Sequence, residues 1–188
     1  MKVSESHVIV PKDGEQLSGD AVFVRHLDRS SLFAVIDALG HGDRAAETSA
    51  VALDALKETS GNPGVGELID LLHTRLRGTR GAAAMVCVCR DGQLEGCSVG
   101  NVELLSLGTR IPWVPSPGIL GASLRRTRIF EVKLVPGDRL ILLSDGVSPR
   151  IEPSLLRGQN AHDACRTLMS KYRRPHDDAT VMVADIEL

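Results

Sequence analysis

The sequence predicts an α+β fold in which antiparallel sheets are covered by helices. Apolar runs of strand length, separated by tight-turn signals, fill both halves of the chain, and two adjacent helical patterns sit together between them instead of alternating with strands. Composition agrees: 188 residues are 43% hydrophobic and 24% charged but only 3% aromatic, so Val, Leu, Ile and Ala must build the interior. One domain over 1–188 is expected, since no linker long enough to divide the chain stands out.

Strands are expected over 7–10, 21–26 and 32–36, all rich in Val, Ile and Phe. The period then turns helical over 44–58, where Ala46, Ser49, Ala50, Leu53 and Leu56 recur on one face and Asp43 is the expected N-cap. After the breaker Gly61-Asn62-Pro63-Gly64, a second helix carries Val65, Leu68, Ile69, Leu72 and Leu76. Strands follow over 82–90, 93–99, 102–107, 128–135 and 139–144. Their punctuation, Asp91-Gly92, Gly100-Asn101 and Pro136-Gly137-Asp138, predicts sequential antiparallel hairpins. A Pro- and Gly-rich loop over 112–121 interrupts them, a helix is expected over 161–172, and a strand over 180–186 closes the chain.

Several function classes are disfavoured. Lys and Arg number 22 against 24 Asp and Glu, and no window joins basic to aromatic residues, so neither nucleic acid nor an anionic membrane is an expected partner. The longest apolar run, 82–89, falls far short of the roughly 20 residues a spanning helix needs. The start MKVSESHVIV lacks the apolar stretch of a signal peptide, so a cytoplasmic protein is expected. Among the four cysteines, Cys87 and Cys89 alternate along one strand, while Cys97 falls opposite Val86 on the returning strand and faces the other way. Buried reduced thiols are expected rather than a disulfide or a thiolate metal site.

The chemistry-bearing pattern is a set of aspartates at the margins of apolar strands: Gly19-Asp20, Asp37-Ala38-Leu39-Gly40, Asp145-Gly146 and Asp177-Asp178. Asp91-Gly92 serves as an internal control, because it joins two strands and needs no role beyond a turn. Asp145 differs, since Val147-Ser148-Pro149 after it is no returning strand. If Asp20, Asp37, Asp145 and Asp177 converge, they repel and raise one another's pKa unless a cation neutralises them. All-oxygen donors suit Mg2+ or Mn2+, and a carboxylate bridging two such ions can hold them at the spacing used for phosphate-ester hydrolysis. Two rival motifs fail on context. Gly40-His41-Gly42-Asp43-Arg44-Ala45 spells the dinucleotide fingerprint, but a second helix follows where a parallel strand is required. His176-Asp177 would suit an all-helical phosphohydrolase, and this chain is strand-rich on both sides of it.

In order, Ser18-Gly19-Asp20, Asp37-Ala38-Leu39-Gly40-His41-Gly42, Ser144-Asp145-Gly146 and Asp177-Asp178-Ala179-Thr180 resemble the PPM family, the metal-dependent type 2C protein Ser/Thr phosphatases, in its SpoIIE-like branch. Val99-Gly100-Asn101-Val102 and Pro117-Gly118-Ile119-Leu120-Gly121 add to the resemblance. It implies a four-layer α-β-β-α sandwich with two Mn2+ or Mg2+ ions at one end. Carried over, Asp37 would bridge the ions, the Ala38 carbonyl would ligate one, Asp145 and Asp177 would complete the other, and Asp20 would act at the edge. Asp178 would be structural support, and His41 a candidate proton donor to the departing seryl or threonyl oxygen. Ala38 replaces the usual glycine, which is tolerable if its φ stays negative. The phosphate-binding arginine of many eukaryotic members has no clear counterpart, and Lys12 reads as a solvated loop lysine. By resemblance the partners would be phosphorylated stressosome scaffold proteins, met by a monomer, with the 112–126 loop and its Trp113, Arg125 and Arg126 as a docking candidate. The alternative is a catalytically silent module that binds a phosphoprotein; the full aspartate set argues against it.

Overall fold

The computed structural model describes residues 2–27 and 29–188. Its strands form two facing antiparallel sheets and a short hairpin of β7 (Gly118–Ile119) with β8 (Ser123–Leu124). One sheet has the order β1 (Lys2–Val10), β11 (Ala179–Glu187), β10 (Arg139–Leu143), β6 (Glu103–Leu107). The other runs β2 (Asp20–Leu27), β3 (Ser30–Ala38), β4 (Ala82–Arg90), β5 (Gln93–Val99), β9 (Ile129–Lys133). Helices α1 (Asp43–Lys57) and α2 (Val65–Arg75) cover the five-stranded sheet, and α3 (Ala161–Tyr172) covers the four-stranded one. The expected four-layer sandwich is therefore the observed one.

Strand periodicity builds the layers. Along β3 and β4, Ala34, Ile36, Ala84 and Val86 face the helices, while Phe33, Val35, Met85 and Cys87 face the opposite sheet. Both faces are buried, which is why these strands read as continuous apolar runs. Leu140 and Leu142 of β10 meet them between the sheets, and Ile141 and Leu143 turn outward to α3. Cys97 and Cys87 lie in different layers, as the hairpin register requires, and all four cysteines are free and buried. Burial pushes their thiols up, away from the thiolate form a metal ligand needs.

Three expectations need correction. α1 buries Ala45, Thr48, Ser49, Ala52, Ala55 and Leu56, whereas Ala50 is exposed and Ala46 and Leu53 are half-buried. The face is rotated because α1 approaches the sheet where side chains are smallest: a Cβ on Gly19 would stand 2.6 Å from that of Ala45. The N-cap is Gly42, at φ +70°, and Asp43 sits in the first turn, where its charge favours the helix dipole. Finally, Asp91-Gly92 makes the β4–β5 hairpin, but Gly100-Asn101 and Pro136-Gly137-Asp138 carry the chain between sheets. Asp138 shapes the second crossover by accepting the N–H groups of Thr109 and Val135, both at 2.8 Å. No described helix is long and apolar enough to cross a membrane.

Candidate metal centre

The ends of β2, β3, β10 and β11 meet at one pole of the sandwich. Asp20 and Asp37 are direct cross-strand partners in the β2–β3 register. Residue parity with Val22 and Val35 sends both side chains between the sheets. The next position after Asp37, Ala38, is buried, and its φ is not positive, so the substitution for glycine is accommodated.

From the opposite sheet, Ser144 donates its Oγ–H to Asp20 at 2.6 Å and accepts the Thr180 N–H at 2.8 Å. Asp145 follows Ser144 and accepts an amide N–H of Asn101 at 2.6 Å. The chain after α3 wraps this strand exit: Arg174 N–H donates to the Gly146 carbonyl at 2.7 Å, and its Nη1 to the Asp145 carbonyl at 2.8 Å. That wrap brings Asp177 beside Asp145, close enough for each charge to disfavour ionisation at the cluster. Gly146 is required by contact rather than by φ, since a Cβ there would collide with the Asp178 carbonyl. Asp178 itself ties down the β1–β2 loop, accepting the Lys12 N–H at 2.8 Å and the Gly19 N–H at 2.7 Å. This is the supporting place expected for it.

Electrostatics set the cluster apart. Burial first, then the charges of Asp20, Asp145, Asp177 and Asp178, push Asp37 up to about 8. Asp20 rises to about 7, chiefly through burial, against the lowering effect of Ser144 and Thr180. Asp145 is raised by burial and by Asp177, and Asn101 and Arg174 partly offset this. Thr180 lies near enough to favour ionised Asp20, although its buried Oγ1 has no partner at hydrogen-bond distance. Among the described residues, no three carboxylate, imidazole or thiolate side chains converge tightly enough to grip an ion as they stand. Asp20 and Asp145 are each held by a neutral donor. The donor set nevertheless fits a hard dication: carboxylate oxygens only, partly buried, raising one another's pKa.

Other residues depart from the sequence reading. His41 is exposed, with Nδ1 at 2.7 Å from Glu15 and Nε2 at 2.8 Å from Lys12 Nζ. Lys12 is thus no free loop lysine: its backbone holds Asp178 and its ammonium holds His41. Trp113 packs against the intersheet core and donates Nε1–H to the Leu104 carbonyl at 2.7 Å, so it is a packed anchor, while Arg125 and Arg126 are exposed. Ser144 was legible as a cluster member by its parity with Leu142. Asn101 was obscured because Gly-Asn reads as a turn.

Comparison with known proteins places this geometry. The family model for Stage II sporulation protein E (SpoIIE) matches residues 28–187. The phosphoserine phosphatase RsbX of Bacillus subtilis (strain 168) is 27% identical over 181 residues, covering 93% of this chain and 90% of that protein. A chain from a structural study of the bacterial stressosome, as a modular system adapted to control secondary messenger signalling, is 31% identical. It superposes with a TM-score of 0.91 over 98% of this chain and 100% of its own. RsbX in complex with magnesium shares the fold at a TM-score of 0.87 and 24% identity, over 98% of this chain and 96% of its own. With a family match across most of its length and two facing antiparallel sheets of PPM type, the chain belongs to the SpoIIE family of PPM phosphatase domains.

Proposed function

We propose that this protein is an Mn2+- or Mg2+-dependent phosphatase that removes phosphate from Ser or Thr of stressosome-type scaffold proteins, acting as a cytoplasmic monomer and resetting a stress signal. The convergence of Asp20, Asp37, Asp145 and Asp177 at one pole carries the reading, with Asp37 the most strongly disfavoured as a free charge. Asp37 and the Ala38 carbonyl, with Asp145 and Asp177, would hold two ions, and Asp20 would act at the edge. Bound there, the ions would supply Lewis acidity toward water and the phosphoryl oxygens.

The chain's own residues prepare that site. Ser144 and Thr180 favour ionised Asp20, Asn101 aims the Asp145 carboxylate, and Asp178 fixes the loop that carries Asp20. In the hydrolysis, water supplies the new oxygen on phosphorus, the bond from phosphorus to the seryl oxygen breaks, and a proton ends on that oxygen. The names of RsbX and of the stressosome relative support a phosphoserine substrate on a scaffold protein. Purified protein with Mn2+ is expected to hydrolyse an aryl phosphate and to release phosphate from a phosphorylated scaffold protein, and to stop with chelator. Binding of the ion and of the phosphoprotein without turnover would instead establish the silent module.

A further inference from the structure

Beside the carboxylate cluster runs a groove of about 710 Å3. Arg44, Glu47, Thr48 and Val51, spaced along one stripe of α1, form one wall, and Gly78, Thr79 and Arg80 of the α2–β4 connection form the other. The second wall is fixed from within. Thr79 donates its N–H and its Oγ–H to the Leu76 carbonyl at 3.1 and 2.7 Å, and accepts the Gly81 N–H at 3.1 Å. Arg80 therefore projects from a braced turn. Its Nη1 lies 3.5 Å from the Leu39 carbonyl and passes so close over Gly40 that any Cβ there would collide with it. Leu39 and Gly40 directly follow Asp37 and Ala38, so Arg80 links the groove wall to the turn that carries the candidate bridging carboxylate.

Arg44 and Arg80 are exposed, and among the described residues neither makes an ion pair, so both guanidiniums on the groove walls are free to meet a ligand's charge. Glu47 is the single carboxylate on the groove walls. A phosphorylated segment approaching this pole meets a concentration of aspartates, and the two unpaired guanidiniums are the groove's only compensating charge. Their planar forks suit carboxylate oxygens.

We propose that the groove receives the polypeptide flanking the phosphoresidue, and that Arg44 and Arg80 select substrates with acidic side chains there. This deepens the phosphatase reading and rests on it for the identity of the substrate. The test compares two phosphoserine peptides, one flanked by Asp and Glu and one by Ser and Ala, with p-nitrophenyl phosphate, which is too small to fill the groove. Wild-type enzyme should prefer the acidic peptide by about tenfold in kcat/KM, a size fitting charge-assisted contacts. Arg44→Gln combined with Arg80→Gln should erase that preference through KM and leave p-nitrophenyl phosphate turnover unchanged. Arg44→Glu should favour a peptide flanked by lysine. Absence of an acidic preference, or its survival in the double variant, overturns the proposal. Fluorescence anisotropy of the acidic peptide on Asp37→Asn protein reads the groove without turnover. If wild type hydrolyses nothing while binding still depends on the two arginines, the phosphatase reading falls and the groove stands.

Discussion

The same dipeptide, Asp-Gly, occurs at the two poles of the sandwich in opposite electrostatic company. At Asp91-Gly92 both residues have positive φ, +49° and +81°, and the exposed Asp91 carboxylate pairs with Arg29 at 2.9 Å. Nearby, Glu5 meets His26, also at 2.9 Å. At Asp145-Gly146 the nearest strong influences are burial and another carboxylate. At the first pole each of these carboxylates has a direct ion-pair partner, whereas Asp20, Asp37 and Asp145 have none, and Arg174 offsets Asp145 only in part. A cleft of about 520 Å3 lies at the paired pole, lined by Lys2, Glu5, His26 and Arg29 among others. Concavity alone does not choose between the ends, since the groove of about 710 Å3 has a wall on Arg80, which touches the turn after Asp37. The aspartate pole is the candidate site because perturbed carboxylates cluster at functional sites and a protein substrate needs no enclosed pocket.

If that contrast is real, neutral substitutions must act differently at the two poles. Asp37→Asn should lower kcat/KM with Mn2+ by roughly a thousandfold or more, about 4 kcal/mol of transition-state stabilisation. It should also raise the melting temperature of the metal-free protein by removing a buried repelled charge, whereas Asp91→Asn should leave kcat/KM unchanged. An Asp37→Asn protein that keeps its activity would break the comparison at its centre. The glycines differ too. Gly146→Ala drives a methyl into the Asp178 carbonyl and should cost about 3 kcal/mol, the upper range for overpacking. Gly92→Ala only strains a positive φ and should cost about 1–2 kcal/mol in denaturant melts.

Much of this was legible in the sequence, for definable reasons. Period-2 alternation placed Cys87 and Cys97 on opposite faces, and period 3.6 gave the buried stripe of α2 residue for residue. The aspartates were legible because each lies at the margin of an apolar strand, and strand margins gather at the poles of a sandwich. What local pattern does not encode is which sheet receives the next strand, so the crossovers at Gly100-Asn101 and Pro136-Gly137-Asp138 read as hairpins. The same blindness hid Asn101, which reaches Asp145 only because β5 and β6 lie in different sheets. On α1, alanines on several faces led the reading to the stripe of Ala46, Ala50 and Leu53, whereas the buried side is that of Ala45, Ala52 and Ala55, where Ala45 meets Gly19.

Asn101 gives the next effect in size. It holds Asp145 without touching any reacting atom, so Asn101→Ala should weaken Mn2+ binding by about 10–100-fold in calorimetric titration, the range for outer-shell partners of metal ligands. Unchanged affinity would make the contact incidental. A smaller signature is pH dependence of the metal-free fold. Asp20 and Asp37 hold protons more tightly folded than unfolded, rising from 3.8 to about 7 and about 8. The stability this linkage provides is complete below the unfolded carboxylate pKa and is lost as pH rises through 7 and 8. With chelator present the melting temperature should fall from pH 5 to pH 9. Asp37→Asn should flatten the decline and saturating Mg2+ should oppose it; a slope identical in wild type and variant would remove Asp37 as its source.

The smallest effect is expected where the aspartate pole, like the opposite one, pairs its side chains, at His41 and Glu15. An ammonium only donates and a carboxylate only accepts, so the contacts of His41 with Lys12 and Glu15 suit the tautomer with the proton on Nδ1 and a lone pair on Nε2. In that state Nε2 has no proton to give a leaving group. His41→Ala should therefore lower kcat by less than about tenfold, the loss being similar for p-nitrophenyl phosphate and for a phosphoserine peptide. The two substrates separate the roles because nitrophenolate leaves without protonation and a seryl alkoxide does not. A loss of about a hundredfold or more confined to the phosphoserine peptide would show that the Lys12–His41–Glu15 chain opens during turnover and that His41 is the proton donor after all.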